Sequence, residues 1–133
     1  VAPKLDIVRV AVIGLGNRGS GTVRRLASIE GVEIKALCDV REEKVKKAAD
    51  MILSFGQKPD HYSGENDWKK ICERQDIDLV AVVTPWHLHT PMCVYAMEHE
   101  KHAYTELPAA LTIDECWQLV ETSERKRRHC IQM

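Results

Sequence analysis

Gly14-Leu15-Gly16-Asn17-Arg18-Gly19 decides the reading of this chain. An apolar run, Ile7 to Ile13, precedes it, and residues 17–29 follow with Val23, Leu26 and Ala27 on one helical face. A G-x-G-x-x-G run with a strand before it and a helix after it is a phosphate-binding turn. The first glycine permits the tight turn. The second lets a pyrophosphate approach the backbone, and the third lets helix and strand pack closely. The helix N-terminus then offers unpaired N–H groups and a positive dipole end to the phosphates.

Outward from the turn, Val32 to Cys38 reads as a second apolar strand. Asp39 follows it, about 20 residues past Gly19, where a dinucleotide fold places an acid. A carboxylate there accepts from the ribose hydroxyls and repels a 2′-phosphate, which favours NAD over NADP. Arg41 suits a 2′-phosphate, so NADP stays as an alternative, and Asp39 also suits a helix N-cap. Residues 41–54 carry Val45, Ala48, Ala49 and Ile52 at the spacing of a one-sided helix. A short strand is expected over His61 to Ser63, then a helical face of Trp68, Ile71 and Cys72. Leu79 to Val83 is a strand, Pro91 to His99 a helix with proline in its first turn, and Lys101 to Thr105 a strand. Thr112-Ile113-Asp114-Glu115 fits a capping box. It opens a helix expected to turn Ile113, Cys116, Trp117 and Val120 inward, and His129 to Met133 starts a last strand. This alternation predicts an α/β doubly wound parallel sheet of the Rossmann type, strand order 3-2-1-4-5-6. Residues 1–133 are expected to form the NAD-binding domain, with a C-terminal substrate domain lying outside this chain.

Ligands of such sheets sit at the carboxyl ends of the strands. Thr84-Pro85-Trp86-His87-Leu88-His89-Thr90-Pro91 lies at one such end. Trp86 offers either a stacking face or core packing. His87 and His89 are each read as a ligand contact or as a capping or exposed histidine. His89, which offers a hydrogen bond or a proton, is the one candidate here for a catalytic role. At the next strand end, Tyr104-Thr105-Glu106-Leu107-Pro108 aims Glu106 at the nicotinamide half of a cofactor.

The formal net charge of −1 argues against nucleic acid and membrane-surface partners. No apolar run reaches bilayer length. The start, Val1-Ala2-Pro3-Lys4, is not a signal peptide and lacks Met, which leaves room for an upstream export signal and leaves the compartment open. Five cysteines without a CxxC pair and six histidines without ligand spacing predict no disulfide framework and no metal site. Most of the cysteines are expected to be buried. The run Glu124-Arg125-Lys126-Arg127-Arg128 reads as a solvated helix end, where cations complement the dipole.

The glycine turn, Asp39, Thr84-Pro85 with a histidine after it, and Glu106-Leu107-Pro108 together resemble the N-terminal domain of the Gfo/Idh/MocA oxidoreductases. Within that family, residues 17–21, 84–91 and 104–110 are similar to glycoside hydrolase family 109, the NAD-dependent α-N-acetylgalactosaminidases. The resemblance implies that Asn17, Arg18, Asp39, Trp86 to His89, Glu106 and Leu107 contact NAD. It also implies redox-assisted elimination, in which the sugar C3 hydroxyl is oxidised, the C2 proton leaves, the C1 bond breaks, water adds and the ketone is reduced again. The wider family's sugar dehydrogenases carry lysine where this chain has Leu107, which cannot do acid–base work. The expected partners are a carbohydrate and, in the full-length protein, further copies of itself. Two rival readings stay open: a sugar or inositol dehydrogenase using NAD(P), and a non-catalytic dinucleotide sensor.

Overall fold

Along β1 (Val8–Ile13) side chains alternate between two cores, Val10 and Val12 on one face, Ala11 and Ile13 on the other. A strand apolar on both faces belongs in the middle of a parallel sheet with helices on each side. In the computed structural model, which describes residues 3–133, β1 is indeed central. Of the stretch read for an export signal, Val1 and Ala2 lie outside the described residues. The other strands are β2 (Val32–Cys38), β3 (Asp60–Tyr62), β4 (Leu79–Val82), β5 (His102–Thr105) and β6 (Cys130–Gln132). All pairings are parallel, in the order β3-β2-β1-β4-β5-β6 that the sequence predicts.

Helices α1 (Asn17–Ala27) and α2 (Glu42–Ile52) cover one face through Val23, Ala27, Val45 and Ile52. Helices α3 (Asp67–Cys72), α4 (His89–Glu98) and α5 (Ile113–Lys126) lie on the other face, with Ile71, Cys93, Met97 and Leu119 in its core. At the amino ends of the strands, Arg9 grips Asp78 through Nε and Nη2 at 2.9 and 2.6 Å. That fork ties β1 to β4, and the guanidinium holds the Asp78 carboxyl below its usual range. Cys38, Cys72 and Cys93 are buried, Cys130 is half-buried and Cys116 is exposed.

Two expectations need correction. α4 begins at His89, after a 3₁₀ turn over Trp86–Leu88, so Pro91 is its third residue. The larger change concerns α5. Its capping box is present: the Glu115 N–H donates to Thr112 Oγ1 at 3.1 Å, and the Thr112 N–H donates to Glu115 Oε2 at 3.3 Å. However, Ile113, Trp117 and Val120 are 73, 59 and 46% exposed, and Cys116 is exposed too. Arg125 pairs with Glu98, and Lys126 with Glu100 at 2.9 Å. Those pairs lie on the side of the helix that faces the end of α4, and Leu119 and Thr122 are the residues it buries. Periodicity finds an apolar stripe but does not say whether anything covers it. Trp117→Ser is therefore expected to change the unfolding free energy of residues 1–133 by about 0.5 kcal/mol or less, where a buried tryptophan would cost roughly 3–5 kcal/mol. A urea titration of both proteins decides between the two.

Candidate functional site

The glycine turn splits into two kinds of position. Gly14 has φ +92°, and a Cβ on it would overlap the Val83 carbonyl; a Cβ on Gly19 would overlap the Gly14 carbonyl. Those two glycines are required by the packing of strand, turn and helix. Gly16 is different: a Cβ there would meet nothing nearer than Lys44 Nζ, at 4.0 Å. Its lack of a side chain serves no contact inside the protein, which leaves close approach by a ligand as the reason for it. No side chain caps α1, whose N-cap is Gly16. The first-turn N–H groups of Asn17, Arg18 and Gly19 therefore keep their capacity to bind an anion.

Asp39 anchors this turn from β2. Its Oδ2 accepts the Leu15 N–H at 2.8 Å, and its Oδ1 accepts the Arg41 N–H at 3.0 Å. The N-cap of α2 is Arg41, so Asp39 is not the helix cap. Each carboxylate oxygen keeps a lone pair for a further donor.

Thr84, at the end of β4, borders two neighbouring clefts. One, of about 440 Å³, runs past Gly14, Asp39, Val40, Pro85, His87 and Leu88, with Asn66 and Trp68 opposite. The other, also about 440 Å³, joins Gly16, Asn17, Arg18 and Gly19 to Trp86, His89, Glu106 and Leu107. Every site residue expected from the sequence thus lies along the carboxyl ends of β1, β2, β4 and β5. Trp86 is 63% exposed, which excludes core packing and leaves its ring as an open face. Leu107 is 57% exposed. Glu106 Oε2 accepts the Leu107 N–H at 3.3 Å. Cys38 lies on the floor of the first cleft with its thiol pushed up to about 12 by burial, so it offers no thiolate for chemistry. Among the described residues no group of three or more His, Cys, Asp or Glu is placed so that it could hold a metal.

His89, the candidate for a catalytic role, is enclosed beneath the cleft. The residue is 1% exposed. Its Nδ1 lies 2.7 Å from the Pro108 carbonyl oxygen and its Nε2 2.8 Å from the Thr84 carbonyl oxygen. Both partners are acceptors, so the ring N–H donates to one or other of these carbonyls. His89 instead clasps the two loops that carry Trp86 and Glu106, helped by Thr90 Oγ1, which donates to the Ala109 carbonyl at 3.0 Å.

Sequence reasoning missed Asn66, Trp68, Lys44 and Lys47. Asn66 and Trp68 reach the first cleft from the segment after β3, and nothing in their local pattern marks them. Lys44 and Lys47 line a third pocket, of about 360 Å³, with Leu15, Gly16, Asn17, Ser20 and Arg41. Their signal was legible: cations at 41, 44 and 47 fall on one side of a helix.

The family model for Gfo/Idh/MocA proteins, an oxidoreductase family with an NAD-binding Rossmann fold, matches residues 8–132. An α-N-acetylgalactosaminidase from Bacteroides fragilis is 54% identical over 132 residues, which cover 98% of this chain and 31% of that protein. A glycosyl hydrolase family 109 protein from Porphyromonas gingivalis is 55% identical over 135 residues, covering 100% of this chain and 29% of its own length. The chain thus spans just under a third of the length of these relatives. Among solved structures, myo-inositol dehydrogenase from Lactobacillus casei in complex with NAD(H) and myo-inositol has a TM-score of 0.80 at 28% identity, over 95% of this chain and 36% of that one.

Proposed function

The chain belongs to the Gfo/Idh/MocA oxidoreductase family, and from that premise we propose that it is the NAD-binding domain of a redox-assisted α-N-acetylgalactosaminidase. The observation that carries the reading is the identity above 50% to family 109 proteins along the whole chain. Leu107 supports it: the position is open to the cleft and holds no group able to move a proton.

The residues fit the cofactor. The open face of Gly16 and the free N–H groups of α1 suit a pyrophosphate. The spare lone pairs of Asp39 suit ribose hydroxyls, and Trp86 and Glu106 border the end where a nicotinamide would lie. Bound NAD would supply reversible oxidation at the sugar. This chain's own residues bind and orient it, and His89 keeps the Thr84 and Pro108 loops at a fixed separation. NAD is the preferred form, because a carboxylate at Asp39 opposes a 2′-phosphate. Asp39→Ala is expected to weaken NAD by at least about tenfold, since one charge-assisted hydrogen bond is lost. Calorimetry that leaves NAD affinity unchanged would remove Asp39 from the site.

The activity is tested on the protein that carries this domain, with an aryl α-N-acetylgalactosaminide in D₂O. Elimination and readdition of water place deuterium at C2 of the product sugar, with no net build-up of NADH. The likeness to myo-inositol dehydrogenase favours a second reading, a polyol or sugar dehydrogenase. That enzyme would accumulate NADH with a free sugar and cleave no glycoside.

A further inference from the structure

A cleft of about 670 Å³ opens at the amino ends of the strands, where Val8, Leu79 and His102 begin β1, β4 and β5. The six residues of β1, roughly 20 Å, separate it from the glycine turn. Lys101 lines this cleft and is 4% exposed. A lysine so enclosed is ordinarily paired, because a buried charge without a partner is costly. Among the described residues the Lys101 ammonium has neither an ion pair nor a hydrogen bond, and burial pushes its pKa down. Every buried side-chain nitrogen and oxygen among these residues has a partner. The Lys101 Nζ has none, so it reaches the open space of the cleft.

The carboxylates that line the cleft are already committed. Asp78 accepts the Arg9 fork, and Glu100 pairs with Lys126 at 2.9 Å and with Arg128 at 2.8 Å. Arg127, at the left-handed end of α5, also lines the cleft and has no ion pair among the described residues. His102 Nδ1 accepts the His129 N–H at 2.9 Å, so the neutral ring carries its proton on Nε2 and stays a donor. Lys101 and Arg127 are thus cations without a counter-charge, beside a neutral donor. A phosphate group, with a charge of about −1.5 to −2 at pH 7 and three acceptor oxygens, matches that set. A carboxylate would offset only one of the cations. The remaining wall, formed by Leu5, Val8, Ile77, Leu79 and Ile131, is apolar and suits the body of an ester.

We propose that Lys101, Arg127 and His102 form a binding site for a phosphate group, free or in a phosphomonoester, at the end of the sheet opposite the glycine turn. The site stands independently of the dinucleotide reading.

The test is a titration of the full chain with phenyl phosphate, inorganic phosphate and benzoate, followed by the amide NMR shifts of residues 100–103 and 127–130. Reading the dissociation constant at those amides separates this cleft from the glycine turn. Lys101→Met should raise that constant for phenyl phosphate at least about tenfold, and Arg127→Gln about threefold. Lys47→Ala, which removes a cation from α2, should leave it unchanged. Without ligand, Lys101→Met should melt no lower than the unaltered protein, since it takes an unpaired charge out of a buried place. Phenyl phosphate binding tighter than inorganic phosphate supports an ester as the ligand, and equal affinity supports free phosphate. A lower melting temperature in Lys101→Met overturns the proposal, because the fold itself would then need the ammonium. A constant unchanged in both variants, shifts confined to residues 14–19, or benzoate bound as tightly as phenyl phosphate overturns it as well.

Discussion

A Gly16→Val variant is expected to fold and to lose its cofactor. The backbone at Gly16 has φ −70°, which any residue adopts, and the space where a Cβ would go is open inside the protein. A valine there would fill the volume a pyrophosphate needs, and binding should fall by about a hundredfold or more, a loss of roughly 3 kcal/mol. Gly14→Ala and Gly19→Ala should do the reverse. Each drives a methyl into a backbone carbonyl, at a cost of at least about 3 kcal/mol in folding stability. Thermal melts and NAD titrations of the three variants separate the roles. A folded Gly16→Val protein with unchanged affinity would mean that the phosphates lie elsewhere.

Residues 1–133 by themselves are expected to bind cofactor and to turn nothing over. The cleft is open above Trp86 and Leu107, both exposed, so no residue here holds a sugar against the nicotinamide end. Holding two reactants at near-attack distance is worth roughly 7–11 kcal/mol, or about 10⁵ to 10⁸ in rate. His89 cannot compensate, being 1% exposed and packed between the Thr84 and Pro108 carbonyls. The comparison is turnover of an aryl α-N-acetylgalactosaminide, with NAD present, by this polypeptide and by the full-length Bacteroides fragilis relative. Rates within a hundredfold of each other would defeat the expectation.

The sheet was legible because each strand is a short apolar run and each helix a periodic one. β2 was found to the residue, and β1 and β4 within one. The glycine turn, Asp39 and the two loop motifs were legible because their chemistry is local to a few consecutive residues. The rotation of α5 was not, since which residues of an apolar stripe are covered depends on contacts with distant elements, here at Leu119 and Thr122, and no local pattern records them. The role of His89 was hidden for the same reason. A histidine at this strand end reads as a ligand contact until the carbonyl of Pro108, 19 residues on, is seen beside it. Trp86 could be read either way from sequence, and its exposure decides the matter.

The double duty of Asp39 bears on how cofactor choice can change over evolution. The carboxylate that would recognise the ribose also pins the Leu15 amide, and with it the start of the phosphate turn. An exchange at position 39 would alter adenosine selectivity and turn geometry in one step, so its effects on the two halves of the cofactor cannot be selected separately. Substitutions at Lys44 and Lys47 carry no such linkage, since neither side chain supports the turn through a hydrogen bond. Lineages in which this surface diverges are then expected to keep the acid while the lysines vary, and reconstructed ancestors of this domain would show whether that order was followed.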